Sequence, residues 1–521
     1  MVHRIEEEHA AAMESLGGMS AQVTMDFDQA VANMAYLSTA FNSDKWTVCP
    51  VVKGDAYGHG TALYGRASAA VPAIHSLCFV DDWEAEVVRT DTENPKANEF
   101  DLVRIRPSTN ANLEAGIDLG VTEVLGNRDQ LASLTYVMNM QGGRRKLLGR
   151  GLQSGGFDVF SAEGPDPVFP APGEEDETEE EEETGAEDDA GTLAKKVQIN
   201  IDTSMARSGF WPWDASDPTD EIRSYVNDIL SSHPGYVITG LMTHMGQEGK
   251  EWVEEKVSMF LNAVCPIADE LAQMQPGVPI TIHYANTRTI ALMLGDGEPW
   301  ECDEDSLSEE GLAQIRYMVR PGKGVFGLLP PGVLADGAPT DGSLEENLKP
   351  VLSFRTKIAT ISRVAEGRLL GYGTTTLVRD SIVATLPIGW ADGYPMRVYE
   401  NYGNGTTDAR MVVYKEDDDD WRCVVPVMRN PNMNLMVLDL TDCPYFVETP
   451  EPWTPNDFTV EVYGSNEVTA VDVARWGNLP SPSLACTRVG KSLVPDIHVD
   501  VLCGGELCED VDDIKGKHCR K

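Results

Sequence analysis

The sequence predicts an α/β protein in which a (β/α)8 barrel is followed by a mainly antiparallel β domain. Strand-like and helix-like segments alternate over about 300 residues, for example in 75–89 (HSLCFVDDWEAEVVR) and 122–138. Polar residues follow several of these strands, at the end where a barrel carries its active site. From about residue 346 the chain changes to Val-, Ile- and Thr-rich runs with short turns, which is typical of antiparallel sheets.

The 521 residues are enough for two or more domains. We predict a barrel domain over 20–345, a β domain over 346–505 and a polar tail over 506–521. The barrel pattern is interrupted between about 147 and 195 by a segment that includes EEDETEEEEETGAEDDAG. Like charges repel and no core can form there, so we expect a disordered surface insertion. Calcium buffering and docking to a basic partner are functional alternatives for this insertion.

Composition excludes several classes of partner. The formal net charge of −43 argues against nucleic acid, which needs a basic surface. No apolar run is long enough for a membrane span, and the acidic first residues lack the features of a secretory signal. We therefore expect a cytoplasmic protein. Its ten cysteines are spread over the chain, which favours reduced thiols, and the spacing of Cys503, Cys508 and Cys519 does not predict a metal site.

The first elements lead to one lysine. Residues 21–41 predict a short strand and a helix, and a second apolar run (48–52) ends at Lys53 before a turn at Gly58 and Gly60. A lysine at a strand end is either a cation that reaches solvent along its apolar stem or a desolvated amine with a lowered pKa. The second state suits Schiff-base chemistry with pyridoxal phosphate.

Later strand ends carry further candidates. A single histidine or arginine at such a position is ordinarily structural, but several that meet at one end of a barrel indicate an active site. The candidates are Asp202, Thr203, Ser204 and Arg207 in 196–210, His244 in 236–246, His283 and Thr287 in 279–293, and Arg320, Gly322 and Gly324 in 316–330.

The stretch around Lys53 resembles a known family. Lys53, Ala56, Tyr57, Gly58, His59 and Gly60 closely resemble the cofactor-lysine motif of alanine racemases, and the resemblance covers about residues 20–500 apart from the acidic insertion. It implies the fold-type III architecture, in which a barrel that binds pyridoxal 5′-phosphate (PLP) precedes a β domain. It also implies a head-to-tail homodimer with shared active sites.

The resemblance also implies roles for single residues. Lys53 would carry PLP, Tyr372 would face it from the other subunit, and Arg320 would contact the pyridine nitrogen. The remaining implied contacts are Tyr57, Thr287, Gly322 and Lys323 at the phosphate, Arg207 at the cofactor oxygen and substrate carboxylate, His244 and His283 behind Arg320, and Met433 and Asn434 in the substrate pocket completed by the partner.

The chemistry of racemisation fits two of these residues. A proton must leave Cα on one face and return on the other, so two bases must flank a planar carbanion, here Lys53 and Tyr372. Tyrosine has a reference pKa of about 10, and a nearby cation such as Arg207 would favour its phenolate. The resemblance implies that Arg320 keeps the pyridine nitrogen unprotonated, whereas related decarboxylases place a carboxylate there.

Several positions depart from the common family pattern. Asn200 stands where a lysine that can be carbamylated is common, Asn434 replaces an aspartate, and Trp390 replaces a tyrosine. Arg104 and Arg106, together with Asn434 and the WGN at 476–478, resemble the broad-specificity amino-acid racemases, although the two arginines are equally consistent with surface charges. No residue of 484–495 (LACTRVGKSLVP) matches the usual phosphate-contacting tyrosine.

The sequence therefore predicts a PLP-dependent racemase of L- and D-alanine, with serine, lysine and arginine as further candidate substrates. We expect a small-molecule substrate, a homodimer, and neither nucleic acid nor membrane as a partner. The alternatives are a fold-type III decarboxylase or dehydratase, and an inactive homologue that only binds PLP.

Overall fold

A computed structural model of the chain gives its architecture. It describes residues 21–41, 44–151, 194–246, 249–297, 299–370, 376–398, 406–428, 431–464, 467–490, 497–503 and 506–507. The acidic insertion predicted near 147–195 falls almost entirely outside these ranges and stays a prediction.

Eight parallel strands form the predicted barrel. They are β2 (Trp46–Val48), β3 (Ser76–Phe79), β4 (Asp101–Arg104), β5 (Thr122–Leu125), β6 (Lys195–Asn200), β7 (Tyr236–Met242), β8 (Ile280–Ala285) and β9 (Ile315–Val319). Neighbours in the sheet follow the chain from β3 to β9, and β9 pairs with β2. The barrel closes beyond β2, where Val51 forms a parallel bridge with Cys78. The predicted (β/α)8 class is confirmed.

Helices follow the strands and cover the outside of the barrel. They are α1 (Phe27–Ala40), α2 (Thr61–Ala69), α3 (Asp82–Thr90), α4 (Asn110–Asp118), α5 (Arg128–Gly151), α6 (Pro218–Ser232), α7 (Lys250–Met274), α8 (Thr287–Asp296), α9 (Glu309–Gln314) and α10 (Ser343–Asn347). Side-chain caps fix several starts: Asp26 accepts a hydrogen bond from the Gln29 amide in α1, and Asn286 accepts two from α8.

The barrel interior is a small apolar cluster below the strand ends. Cys49, Val51 and Cys78 lie in it beside Val103 and Met318, and all are buried. The Sγ atoms of Cys49 and Cys78 lie 2.8 Å apart. This filled interior leaves the carboxyl ends of the strands as the place for a ligand cavity.

The second domain is built on a ten-stranded, mainly antiparallel sheet. Its order is β11-β12-β15-β14-β13-β16-β10-β1-β17-β18. The strands are β1 (Ala21–Asp26), β10 (Leu352–Lys357), β11 (Thr360–Val364), β12 (Ser381–Leu386), β13 (Thr406–Lys415), β14 (Asp418–Met428), β15 (Met436–Asp439), β16 (Phe458–Tyr463), β17 (Ile497–Cys503) and β18 (Glu506–Leu507). Three helices complete it: α11 (Pro444–Glu448), α12 (Ala470–Trp476) and α13 (Ser483–Gly490).

Two strands differ from the expected division of the chain. The predicted first strand exists, but β1 pairs with β10 and β17 in the second sheet rather than with the barrel. At the other end, β18 pairs with β17, so residues 506–507 of the expected polar tail belong to the sheet. The first and the last described strands thereby both belong to the sheet of the β domain.

One cysteine pair corrects the expectation of reduced thiols. Cys265 in α7 is joined by a disulfide to Cys302, which precedes β9. Five other cysteines among the described side chains are free. Within the same described ranges, no helix combines the length and the apolar character needed to cross a membrane.

Candidate active site

The turn after Lys53 is left-handed. Gly54, Asp55, Ala56 and Tyr57 have φ angles of 65°, 58°, 50° and 55°, and helix α2 begins only after this turn. Non-glycine residues pay roughly 1–2 kcal/mol each in this conformation, so other contacts must hold the turn. The Asp55 carboxylate accepts hydrogen bonds from the amide and hydroxyl of Thr61, at 2.8 and 3.1 Å. The sequence predicted a turn here but not its handedness.

Lys53 lies at the wall of a cavity of about 330 Å³ at the carboxyl ends of the strands. This volume is within the range of small-ligand sites. The lining residues come from segments that are far apart in sequence. They are Lys53, Val80, Ile105, Arg106, Pro107, Asn200, Asp202, Met205, Arg207, Ser208, Met242, Thr243, His244 and Arg320. Of the predicted site, the structure thus brings Lys53, Arg207, His244 and Arg320 together.

The cavity is cationic, and its charges act on one another. Burial lowers the pKa of Lys53, and the nearby Arg207 and Arg320 lower it further, whereas Glu84 raises it. The pKa of His244 falls to about 3, mainly through burial and then through Arg320. His244 is therefore neutral at physiological pH. The electrostatics favour a deprotonated amine and an anionic ligand.

Arg320 follows β9 and points into the site from a buried position. One of its terminal nitrogens donates to the Thr243 carbonyl, while its buried Nε has no hydrogen-bond partner among the described residues. His283 Nε2 lies 3.0 Å from Gln198 Oε1. Burial and Arg320 depress the pKa of His283 well below its usual value. His283 thus lies close enough to Arg320 for electrostatic influence, but its described hydrogen bond goes to Gln198.

Asp202 organises the loop that carries Arg207. Its carboxylate accepts hydrogen bonds from the amides of Ser204 (2.9 Å), Met205 (2.8 Å) and Arg207 (3.2 Å). Asn200 donates from its side-chain amide to the Ser208 carbonyl at 2.9 Å. The position where the family commonly has a lysine is therefore occupied here by a residue that fixes the loop backbone.

The expected phosphate-binding residues lie next to one another. The Thr287 hydroxyl accepts a hydrogen bond from the Gly324 amide at 3.1 Å, which joins the start of α8 to the loop after β9. A Cβ added to Gly322 would lie 2.5 Å from the Tyr57 hydroxyl oxygen, so a larger residue here would displace the Tyr57 ring. The Lys323 side chain is partly buried, and desolvation lowers its pKa.

Residues expected from the β domain do not line this cavity. Met433 and Asn434 are exposed in the turn between β14 and β15. The Met433 carbonyl accepts a hydrogen bond from the Ala391 amide at 2.9 Å, which places this turn beside Trp390. Tyr372 lies outside the described residues.

Helix α13 brings the β domain to the lysine turn. A Cβ added to Gly58, whose φ is +86°, would meet the Cys486 carbonyl oxygen at 2.5 Å. Cys486 and Thr487, which belong to the segment in which no phosphate-contacting tyrosine was found, therefore approach the lysine turn through their backbone.

The two arginines singled out in 102–109 have different environments. Arg104 is fully buried, bound to Asp82 (2.6 Å) and Glu123 (3.2 Å), and is absent from the cavity lining. Its assignment to the pocket, and the alternative of a surface charge, are both wrong. Arg106 does line the cavity, where it forms a partly exposed ion pair with Asp81 at 2.8 Å.

Sequence reasoning missed two buried carboxylates that act on the site backbone, Glu84 and Asp202. Asp202 appeared among the strand-end candidates without a role, although an Asp commonly accepts a hydrogen bond from the backbone two residues further on, here from Ser204. Glu84 had a local signal as well, because Asp81 and Glu84 have the spacing of a helix capping box. Among the described residues, no group of three or more His, Cys, Asp or Glu is arranged to hold a metal ion.

Comparison with known proteins agrees with this geometry. The family model for the alanine racemase N-terminal domain matches residues 181–330, and the model for the alanine racemase C-terminal domain matches 351–493. Together they match more than half of the chain. The chain belongs to the alanine racemase family. Its two matched regions correspond to the later barrel strands and to most of the β domain.

The relatives include proteins named alanine racemase and proteins named broad specificity amino-acid racemase. The alanine racemase of Halothermothrix orenii is 27% identical over 298 residues, which are 56% of this chain and 63% of that protein. The broad specificity amino-acid racemase of Pseudomonas taetrolens is 24% identical over 413 residues, which are 79% of this chain and 75% of that protein. The alignment with the Halothermothrix protein thus spans just under two thirds of its length.

Solved structures share the fold. Alanine racemase from Streptomyces coelicolor A3(2) has a TM-score of 0.62 at 19% identity, covering 92% of this chain and 98% of its own. The enzyme from Bartonella henselae, solved with covalently bound pyridoxal phosphate, has a TM-score of 0.58 at 16% identity, covering 93% and 100%. At these identities the likeness concerns the fold.

Proposed function

We propose that this chain is a PLP-dependent amino-acid racemase that interconverts L- and D-alanine, with serine, lysine and arginine as further candidate substrates. The observation that carries the proposal is the position of Lys53. It lies at a barrel strand end with a lowered pKa, in a cavity that it shares with Arg207 and Arg320. A buried amine that is readily deprotonated is the group needed to attach a carbonyl cofactor.

The residues present suit PLP. The Nε of Arg320 is a buried donor without a hydrogen-bond partner among the described residues, and Arg320 lines the cavity, so it would suit an acceptor atom of the cofactor ring. The close approach of Gly322 to the Tyr57 hydroxyl forms a narrow corner for a phosphate, next to Thr287. We infer that Lys53 holds the cofactor covalently, that Arg320 contacts its ring, and that Tyr57, Thr287, Gly322 and Lys323 hold its phosphate.

When bound, PLP withdraws electrons from the substrate Cα and so makes the Cα proton removable. The protein residues then have to move that proton and orient the substrate. Lys53 takes or returns it on one face, and Tyr372 does so on the other. Arg207 binds the substrate carboxylate, and the neutral His244 adds no competing charge beside it.

The proposal includes a homodimer, because one chain supplies only part of the site. Tyr372, Met433 and Asn434 would come from the partner's β domain, as in the family. Exposed apolar side chains in that domain support an interface: Leu369 (63% exposed), Val378 (51%), Met396 (60%), Met433 (54%) and Leu435 (45%).

Chiral chromatography of each L-amino acid, incubated with PLP-loaded protein in D2O, tests the activity. We expect the D-isomer to appear with deuterium at Cα. Amine products would indicate a decarboxylase and keto acids a dehydratase, and an absence of exchange would indicate an inactive PLP-binding protein.

Variants of the two bases test their roles. Lys53→Ala should lose covalent PLP and all turnover. Tyr372→Phe should keep the yellow colour of bound PLP and lose racemisation. Full activity of Tyr372→Phe in both directions would contradict the two-base assignment.

Deletion of 172–190 distinguishes the racemase hypothesis from the alternative of an inactive PLP carrier that acts through the acidic insertion. A racemase should retain nearly full turnover after the deletion, because no described part of the cavity comes from that segment. A collapse of turnover would contradict the domain assignment. The cytoplasmic location stays a prediction, which fractionation of cells expressing the tagged protein would test.

A further inference from the structure

Glu84 is a fully buried carboxylate next to the lysine turn. Its Oε1 accepts hydrogen bonds from the amides of Gly54 (2.5 Å) and Asp55 (3.2 Å). Its Oε2 accepts from the amides of Val80 and Asp81, both at 3.0 Å. One side chain thus satisfies four backbone donors from two segments that are about 25 residues apart in the chain.

These bonds fix the backbone on which Lys53 depends. Gly54 and Asp55 begin the left-handed turn, and Val80 lies at the end of β3, where it lines the cavity. Charge-assisted hydrogen bonds to a buried carboxylate are stronger than neutral ones, and a buried donor left without a partner is costly. Glu84 therefore links the strained turn to the cavity wall.

Glu84 also contributes charge at the amine. Arg207 and Arg320 lower the pKa of Lys53, and Glu84 and the Cys78 thiol act in the opposite direction. Loss of the Glu84 charge would therefore lower the pKa of Lys53 further, because the effect of the two arginines would be less opposed.

We propose that Glu84 is a positioning residue for Lys53, which fixes the turn after the lysine and balances the cationic charge around its amine. This role rests on the proposed racemase function. Glu84 does not line the cavity, so it acts through the lysine rather than on the substrate.

The pH dependence of Lys53 reactivity in the PLP-free protein tests the charge effect. The rate of methylation by formaldehyde and cyanoborohydride, followed at Lys53 by peptide mass spectrometry, rises with the fraction of neutral amine. Glu84→Gln should shift the midpoint of this rise to lower pH by about half a unit or more. A Glu84→Gln midpoint equal to that of the wild type would overturn the proposal, because a merely structural role leaves the midpoint unchanged.

Glu84→Asp tests the positioning effect independently. It keeps the charge but is one methylene shorter, so it cannot reach all four amides. We expect an unchanged midpoint and a kcat about tenfold to hundredfold lower, with a smaller change in KM. A wild-type kcat in Glu84→Asp would overturn the positioning role. If Glu84→Gln does not fold, Glu84→Asp still tests the proposal.

Glu461→Gln is the matched control. Glu461 is an equally buried carboxylate that pairs with Arg355 in the β domain, away from the lysine turn. It should leave the Lys53 midpoint unchanged. If the wild-type protein does not racemise amino acids, the proposed function fails, whereas the methylation midpoint still measures the action of Glu84 on Lys53.

Discussion

Truncation of Asp202 should loosen the loop that carries Arg207. In Asp202→Ala, the amides of Ser204, Met205 and Arg207 lose their acceptor. Each hydrogen bond contributes about 1 kcal/mol. Loss of all three should therefore lower the free energy of unfolding by up to roughly 3 kcal/mol. Ala206 has a φ of 49°, which is unfavourable for alanine and increases the tendency of the freed loop to rearrange.

The functional loss should exceed the loss of stability. Displacement of Arg207 by about 1 Å would lower kcat/KM on the order of a hundredfold, mostly through KM for the substrate carboxylate. Urea denaturation gives the free energy, and steady-state racemisation gives kcat and KM. Asp202→Asn, which keeps one carbonyl oxygen for the amides of Ser204 and Met205, should fall between Asp202→Ala and the wild type.

Asp217→Ala is a suitable control for Asp202→Ala. Asp217 caps the exposed start of α6 and also accepts backbone hydrogen bonds, from Thr219 and Asp220. Its loss should cost about 1 kcal/mol and leave KM unchanged. An Asp202→Ala protein with the KM and stability of Asp217→Ala would refute the reasoning about the Arg207 loop.

Three further predictions concern PLP binding, pH and the disulfide. Gly322→Ala should weaken PLP binding by at least about tenfold in a spectroscopic titration, because the added methyl would lie 2.5 Å from the Tyr57 hydroxyl; unchanged affinity would contradict the phosphate corner. Burial lowers the pKa of His59 to about 4 in the folded protein, below the unfolded value of about 6.5. Between these two pH values the unfolded state binds more protons than the folded state. The free energy of unfolding therefore falls as the pH falls through this range. Between pH 7 and 5 the wild type should lose about 2 kcal/mol more than His59→Phe in urea denaturation, and equal losses would contradict this. Replacing Cys265 and Cys302, 37 residues apart, by alanine should lower the free energy of unfolding by about 4 kcal/mol by the same assay, and no loss would show that the disulfide does not stabilise the fold.

Local patterns predicted the barrel well because its parallel strands are short apolar runs that end in polar residues. They placed Lys53, Arg207, His244 and Arg320 at strand ends, and a closed barrel must bring such ends together. The same patterns could not assign β1 to a sheet, because alternation of buried and exposed residues does not specify the partner strand. Arg104 was misplaced for a similar reason, since its buried partner Glu123 is 19 residues away in sequence.

The roles of the carboxylates Glu84 and Asp202 at this site could not be predicted from the sequence alone. Family motifs record groups whose chemistry is visible in the residue type, such as the amine of Lys53 or the guanidinium of Arg207. Glu84 and Asp202 act on backbone amides, which every residue except proline carries, so the sequence indicates only their local bonds, such as those to Asp81 and Ser204, and not their more distant partners. Only the fold shows that Glu84 binds the turn after Lys53 and that Asp202 binds the amide of Arg207. The two cationic residues expected to bind cofactor and substrate, Lys53 and Arg207, thus depend on backbone conformations that buried carboxylates hold.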